Sequence, residues 1–101
     1  MGYSISFSPS ARRNLRDIVR YISLDSPERA VSFGQFLISN TKRLGKFTEL
    51  GRVVPEFEDE SIREIVVRSY RIIYRLDRDA CRVDVLRLWH GARGTPTIDE
   101  R

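Results

Sequence analysis

The sequence predicts an α+β domain with the element order β-α-α-β-β-β, and three observations support this fold class. A short stretch near the amino terminus alternates apolar and polar residues, as a half-buried strand does. Two segments with helical spacing of apolar residues follow, and each opens with a serine and a proline. Three runs rich in β-branched and aromatic residues come last.

The first half of the chain carries the first strand and both helices. Residues 3–7 alternate apolar and polar side chains, and Ser8-Pro9 then supplies an N-cap oxygen and a first-turn proline. The first helix is therefore predicted over about residues 9–24. Ser26-Pro27 repeats the start signal, and the apolar stripe of the second helix is Ala30, Phe33, Leu37, Thr41 and Leu44. The short connection predicts an antiparallel helix hairpin.

The second half carries a loop and three strands. Glycines, a proline and an acidic run predict a loop over residues 45–61. Strands are predicted over residues 63–68, 70–76 and 82–89, with links short enough for hairpins. We expect a single domain over residues 1–93 and a fraying tail over residues 94–101.

Strand alternation predicts which face each side chain occupies. The apolar set Tyr70, Ile72, Tyr74 and Leu76 should pack on the helix hairpin, which leaves four charged residues on the opposite face: Glu64, Arg68, Arg71 and Arg75. In the last strand, Val83 and Val85 have one phase and Leu86 and Leu88 the other. A bulge near Val85 or burial on both faces explains this change equally well.

Composition excludes several classes of protein. The chain has 101 residues and a net charge of +4, and all its basic residues except Lys42 and Lys46 are arginine, which suits an anionic partner. Cys81 and His90 are single, so an internal disulfide and a zinc site of the usual cysteine and histidine ligands are excluded. No long apolar run is present. We therefore expect a cytoplasmic protein without a membrane partner.

Four short motifs, in order, resemble the ParE branch of the RelE/ParE superfamily, whose members are toxins of type II toxin–antitoxin modules and are often called plasmid stabilisation proteins. These motifs are Gly51-Arg52-Val53-Val54-Pro55-Glu56, Arg63-Glu64, Tyr70-Arg71-Ile72-Ile73-Tyr74 and His90-Gly91-Ala92-Arg93. The resemblance covers roughly residues 3–93.

The resemblance implies a helix hairpin packed on a twisted antiparallel sheet, and a toxin that poisons DNA gyrase without a cofactor. It also implies a cognate, ParD-like antitoxin that binds the toxin in a hetero-oligomer. RelE-type relatives cut messenger RNA on the ribosome, and this endoribonuclease activity is the alternative hypothesis. A third hypothesis is a module that has lost its toxicity and survives as an antitoxin-binding protein.

The nuclease alternative requires acid, base and cationic groups around the RNA phosphate. The candidate catalytic residues for it are Glu64, Arg68, Arg71, Arg87 and His90, with Tyr70 or Tyr74 as further acids. Structural roles are favoured for several of them. The tyrosines lie on the predicted core face, Arg63-Glu64 can pair with Glu56 or Arg52 to pin the loop, and a lone histidine is more often hydrogen-bonded than catalytic.

Two binding surfaces are predicted. The target-binding residues are Arg68, Arg71, Arg75, Trp89, His90 and Arg93. The antitoxin-binding residues are Arg12, Arg16, Arg20, Phe33 and Leu37. The three helix arginines also fit a solvated face without a partner. An exposed strand at the sheet edge is a further place where the antitoxin could bind, by adding a strand.

Overall fold

The computed structural model describes residues 2–98. Over this range two helices pack on one face of a five-stranded sheet, with the elements in the order β1 (Ser4–Phe7), α1 (Pro9–Ser23), α2 (Pro27–Lys46), β2 (Arg52–Val53), β3 (Ile62–Val67), β4 (Tyr70–Asp77), β5 (Arg82–His90) and a single 3₁₀ turn (Gly91–Arg93). This arrangement confirms the predicted fold class. None of the described helices has the length and apolar character that crossing a membrane requires.

The strands lie in the order β1-β5-β4-β3-β2. Strands β3, β4 and β5 pair in antiparallel fashion, as predicted. Strand β2 also pairs antiparallel with β3, whereas β1 pairs in parallel with β5 and makes the sheet mixed. Local hairpin signals report only on strands joined by tight turns, so they carried no information on β1. Strand β2 lies within the predicted loop, where its two residues pair with Arg63 and Glu64 of β3.

Both helices start where the sequence predicts. The Ser8 side chain accepts a hydrogen bond from the Ala11 amide, and the Ser26 side chain accepts one from the Arg29 amide. These bonds satisfy amides that have no partner within the first helical turn. Helix α1 ends at Ser23, one residue before the predicted end.

The main core lies between the helix hairpin and the sheet. It confirms the predicted core face of β4, because Ile72, Tyr74 and Leu76 are buried against the helices. The side chains that complete the buried core are Ala11, Ile18, Leu37, Leu44, Ile65, Val67, Val83, Val85 and Leu88.

A bulge in β5 explains the change of phase along that strand. Tyr74 lies opposite Val85, whereas the preceding residue, Ile73, lies opposite Arg87. Leu86 is therefore an extra residue in β5, and it is buried. The bulge near Val85 is confirmed, and so is burial on both faces, because residues 85–89 are all buried. The bulge puts Val85 and Leu88 on the helix side, while Trp89 joins a cluster on the opposite face.

A second, smaller core lies on the sheet face away from the helices. Its buried members are Val54, Ile62, Ile73 and Trp89, and Phe57 and Ile98 pack against them. The Trp89 indole donates a hydrogen bond to the Gly94 carbonyl, at 3.1 Å. The expectation of a fraying tail stays a prediction, although Gly94 and Ile98 contact this cluster. Residues 99–101, which the same expectation covered, lie outside the described residues.

Ser8 joins the start of α1 to the bulge in β5. Its hydroxyl donates to the Leu86 carbonyl at 2.9 Å while accepting from the Ala11 amide. We predict that Ser8→Ala lowers the free energy of unfolding by about 2 kcal/mol, because it removes both the cap of α1 and the hydrogen bond to the Leu86 carbonyl.

The matched control is Ser26→Ala, which removes only an exposed cap and should cost about 1 kcal/mol. Urea unfolding of both variants measures the difference. Equal losses would contradict a structural role for the bond to Leu86.

Candidate functional site

A buried carboxylate organises the sheet face away from the helices. The Glu64 side chain is fully buried, and it lies 2.7 Å from the Arg52 guanidinium and 2.5 Å from Arg71 Nε. Arg52 lies directly across from Glu64 on β2, and Arg71 lies on the neighbouring strand β4. The predicted pairing of Glu64 with Arg52 is confirmed, and Arg71 is a further partner.

Arg71 extends this network to the loop before β3. Its two terminal nitrogens donate to the two carboxylate oxygens of Glu56, each at 2.9 Å. These bonds hold the pKa of Glu56 below its ordinary value, and the bonds to Glu56 and Glu64 raise the pKa of Arg71. Arg63 also contributes, because it donates to the Gly51 carbonyl at 3.2 Å. Two carboxylates and three arginines thus pin the loop to the sheet.

Tyr74 secures the same loop from the helix side of the sheet. Its hydroxyl accepts a hydrogen bond from the Gly51 amide at 3.1 Å and donates to the Thr48 carbonyl at 3.3 Å. A Cβ atom at position 51 would lie 2.4 Å from that hydroxyl, so glycine is required there. Burial raises the pKa of Tyr74. The side chain is fully buried, which supports the structural role predicted for it.

Trp89 is covered by two arginines. The guanidinium carbon of Arg93 lies 4.0 Å from the centre of the ring and that of Arg87 lies 4.9 Å from it, both in the range of cation–π contacts. Trp89 is only 4% exposed and Arg87 only 9% exposed. Arg93 is exposed. Of these three residues, only Arg93 is therefore accessible to a target.

His90 and Tyr70 lie on the helix side of the sheet. His90 Nδ1 accepts a hydrogen bond from the Ala92 amide at 3.1 Å, which starts the 3₁₀ turn. Its ring meets the Tyr70 ring edge to face, with centroids 5.0 Å apart, and Tyr70 packs on Phe33. Desolvation raises the pKa of Tyr70. The structure thus gives His90 the hydrogen-bonded role that the sequence favours.

Arg68 lies on the opposite face from the one predicted. Its guanidinium stacks on the Phe36 ring, 4.3 Å from the centroid, and lies 5.8 Å from the centroid of Phe33 on the same helix. Strand alternation fails at this residue because it belongs to the two-residue turn between β3 and β4, where its φ is +55°. Arg68 is therefore part of the helix side and not of the open sheet face.

An open apolar groove lies beside the helix hairpin. It has a volume of about 660 Å³, and its walls include Tyr21, Leu24, Phe33, Phe36 and Arg68. Tyr21 is 77% exposed and Leu24 is 82% exposed, which is unusual for large apolar side chains. The predicted antitoxin contact Phe33 lines this groove. Leu37 does not, because it is fully buried in the main core, so its predicted role as a contact is wrong.

The three arginines of α1 point to solvent. Arg12, Arg16 and Arg20 are exposed, and no acidic side chain among residues 2–98 forms an ion pair with them. Their exposure fits both predicted alternatives, a solvated face and contact with an acidic partner. Tyr21 and Leu24 also line the groove, although neither was predicted as an antitoxin contact. The available signal was that both are apolar yet lie off the apolar stripe of α1.

The five nuclease candidates do not converge. Glu64 and Arg71 are engaged in ion pairs, and Arg87 is buried against Trp89. Arg68 and His90 lie on the other side of the sheet. No group of three or more histidine, cysteine, aspartate or glutamate side chains that could hold a metal ion occurs in the described part of the chain. The five residues therefore do not form a single acid–base site in the structure.

The sequence matches a known protein family, and the fold is similar to that of solved structures. A family model described as the ParE toxin of the type II toxin–antitoxin system parDE matches residues 5–94. A solved structure titled as the chromosomal ParDE system from P. aeruginosa is 21% identical, covers 87% of this chain and 95% of its own, and has a TM-score of 0.71. No curated protein matches the sequence significantly.

RelE-type structures are also similar. One is described as the toxin–antitoxin complex RelBE2 from Mycobacterium tuberculosis, with 22% identity over 89% of this chain and 92% of that one, at a TM-score of 0.63. A mutant of the E. coli toxin RelE in the free state is 17% identical over 93% of this chain and 88% of that one, at a TM-score of 0.66. These likenesses establish the fold and leave the activity open.

The Glu56–Arg71 pair predicts a pH-dependent contribution to stability. At pH 7 we expect Glu56→Gln to lower the free energy of unfolding by up to about 1 kcal/mol. The pKa of folded Glu56 lies below its ordinary value of 4.5, so this stabilisation is complete above that value. It is lost as the pH falls through the lower folded-state pKa. The difference between the wild type and the variant should therefore shrink as the pH falls below 4.5.

Urea unfolding at pH 7 and pH 3 measures this effect. Glu58→Gln is the control, because Glu58 is exposed on the same loop and forms no ion pair within residues 2–98. A difference that stays constant between the two pH values would show that the carboxylate charge of Glu56 is not what stabilises the loop.

Proposed function

The chain belongs to the ParE toxin family of type II toxin–antitoxin systems, and we propose that it stops growth by poisoning DNA gyrase in the cytoplasm until an antitoxin binds it. The gyrase target follows from the resemblance of its motifs to ParE toxins. The antitoxin partner is supported by its neighbours, since one structure is titled as a ParDE system and another as a toxin–antitoxin complex.

The burial of Glu64 between two arginines is the observation that supports a toxin without nuclease activity. RNA cleavage through the 2′-hydroxyl needs a free base and cations aimed at the phosphate. Glu64 is fully buried in ion pairs, and Arg71 is held by Glu56 and Glu64. Freeing either group would break the network that holds the loop on the sheet.

The target-binding surface that we propose is the sheet face away from the helices. Of the six residues predicted for it, Arg93 combines this face with an exposed charge, because it lies above Trp89 and is open to solvent. Trp89 acts by positioning Arg93. Arg71 supports the loop at the margin of the same face.

The antitoxin would then use the helix side. The apolar groove offers Leu24, Tyr21 and Phe33 to apolar anchors, and the Arg68 guanidinium at its wall offers donors to a carboxylate. The exposed arginines of α1 and the net charge of +4 favour fast association with an acidic segment. Target and antitoxin would thus meet opposite faces of the sheet.

Two parallel assays test the target. We expect the purified toxin to increase gyrase-dependent linear DNA from a supercoiled plasmid, and to leave messenger RNA intact on programmed ribosomes. RNA cutting with unaffected gyrase would establish the RelE-type activity instead. Inactivity in both assays, together with antitoxin binding, would favour a module that has lost its toxicity.

The same gyrase assay tests the proposed target surface. Arg93→Ala should lower the potency of poisoning, by roughly tenfold if this contact contributes about 1.4 kcal/mol. Arg13→Ala is the matched control, because Arg13 is an exposed arginine on α1 whose side chain bonds only to Ser10 among the described residues. Equal effects of the two substitutions would exclude a specific role for the sheet face.

If the antitoxin binds in the groove, substitutions of two exposed apolar residues should differ in their effect on the affinity for the antitoxin. Leu24→Glu places a charge on the groove wall and should weaken the complex by at least about tenfold. Val31→Glu is the matched control, because Val31 is 59% exposed and does not line the groove. Titration of each variant with the antitoxin measures the affinities. Tight binding of both variants would place the antitoxin elsewhere.

A further inference from the structure

Helix α1 carries most of the chain's net charge. It has four arginines and one acidic residue, Asp17, so its own charge is +3, whereas that of the whole chain is +4. Arg12, Arg16 and Arg20 are exposed and follow one another every four residues. Since four residues of an α-helix rise by about 6 Å, these three lie along one side of α1 over about 12 Å. We call them the α1 arginine row.

The α1 arginine row is unfavourable for the helix itself. Positive side chains four residues apart repel each other, and each of the two steps of the row brings such a pair together. The helix dipole favours acidic side chains near the first turn, but α1 has none there and Arg12 lies next to that turn. A face arranged only for solvation and stability would mix charges of both signs. The row is therefore better explained by an anionic partner.

The surroundings of the row favour a nucleic acid as that partner. Between Arg12 and Arg20, the exposed side chains of α1 are all charged, and the apolar ones are buried or half-buried. Protein interfaces are centred on apolar anchors, whereas interfaces with DNA are polar and strongly positive. Along about 12 Å a DNA duplex presents roughly seven phosphates, while an extended peptide has only about four residues. The duplex therefore offers the denser negative charge.

We propose that the α1 arginine row binds the phosphate backbone of duplex DNA, with one guanidinium at each of three phosphates. The planar guanidinium can donate two parallel hydrogen bonds to the oxygens of one phosphate. Contacts to phosphates alone carry no sequence information, so we expect binding that is independent of sequence. An acidic antitoxin is also attracted by these charges, but attraction at long range needs no contact with them.

The row lies on the helix side of the molecule, whereas Arg93 lies on the opposite face of the sheet. One toxin molecule can therefore contact gyrase and DNA at the same time. The inference rests on the proposed function for the source of this DNA, which is the duplex that gyrase holds. The binding of DNA itself can be measured without gyrase.

The salt dependence of DNA binding tests the row. Fluorescence anisotropy of a labelled duplex measures the association constant of the full-length toxin at several salt concentrations. Replacing all three residues with glutamine, Arg12→Gln, Arg16→Gln and Arg20→Gln, should reduce the slope of log K against log salt by about 2.7, because each phosphate contact contributes about 0.9. At low salt the triple variant should bind at least about tenfold more weakly. Two duplexes of unrelated sequence should bind the wild type within about twofold of each other.

Arg13→Gln is the matched control. It removes the same charge from the same helix, but the Arg13 side chain donates to Ser10 at 3.0 Å and is not part of the row. This variant should change the slope by much less than one phosphate contact. Urea unfolding provides a second control, because the triple variant removes repulsion and should be at least as stable as the wild type. Its loss of DNA binding would then not arise from unfolding.

Three results would overturn the proposal. The first is the same salt slope for the wild type and the triple variant. The second is displacement of the DNA by a much lower concentration of an RNA duplex of equal length, which would assign the row to RNA. The third is a triple variant that loses affinity for the antitoxin and keeps its affinity for DNA, which would assign the row to the antitoxin.

The gyrase assay separates this inference from the proposed function. We expect the triple variant to need a higher concentration than the wild type to poison gyrase. Normal poisoning by a variant that has lost DNA binding would overturn the role of the row in the gyrase complex and leave the proposed function intact. A wild type that binds DNA through the row but does not poison gyrase would overturn the proposed function and leave the DNA-binding surface.

Discussion

The buried carboxylate of Glu64 is the constraint on which one side of this molecule depends. An ionised group that is fully removed from water is tolerated only when cations and hydrogen-bond donors surround it. Arg52 and Arg71 meet this requirement, and both are brought to Glu64 by strand pairing. Arg71 in turn binds Glu56, so the loop before β3 is held on the sheet. Desolvation of one side chain thus determines the position of a whole segment.

The two faces of the sheet differ in chemistry: one carries the ion-pair network and the other an apolar groove. On the open face, Arg52 and Arg71 are paired with carboxylates, and Arg93 carries an exposed charge. On the helix side, Arg68 stacks on Phe36 beside a wide apolar groove. In the proposed function, the target and the antitoxin would use these two chemically different surfaces. Proteins that share a fold can bind different targets when the binding surface is separate from the core, and the separate surfaces seen here are consistent with this.

Two local backbone features decide which residues reach each face. The extra residue Leu86 in β5 reverses the alternation, so Trp89 joins Ile73 and Ile62 on the open face. The tight turn after β3 gives Arg68 a left-handed backbone and directs it toward α2. One of these features was visible as a change of phase in the sequence. The turn at Arg68 was not visible in the sequence, because an arginine in a tight turn has the same residue pattern as the continuation of a strand.

The sequence by itself determined the element order, both helix starts, the core face of β4 and the family, because these depend on local signals such as Ser8-Pro9 and on periodicity. It also indicated the pairing of Glu64 with Arg52. Only the tertiary structure decided that Leu37 is core and that β1 lies parallel to β5 at an open edge. These properties depend on contacts between residues far apart in the chain, and neither spacing nor composition encodes which distant surfaces meet.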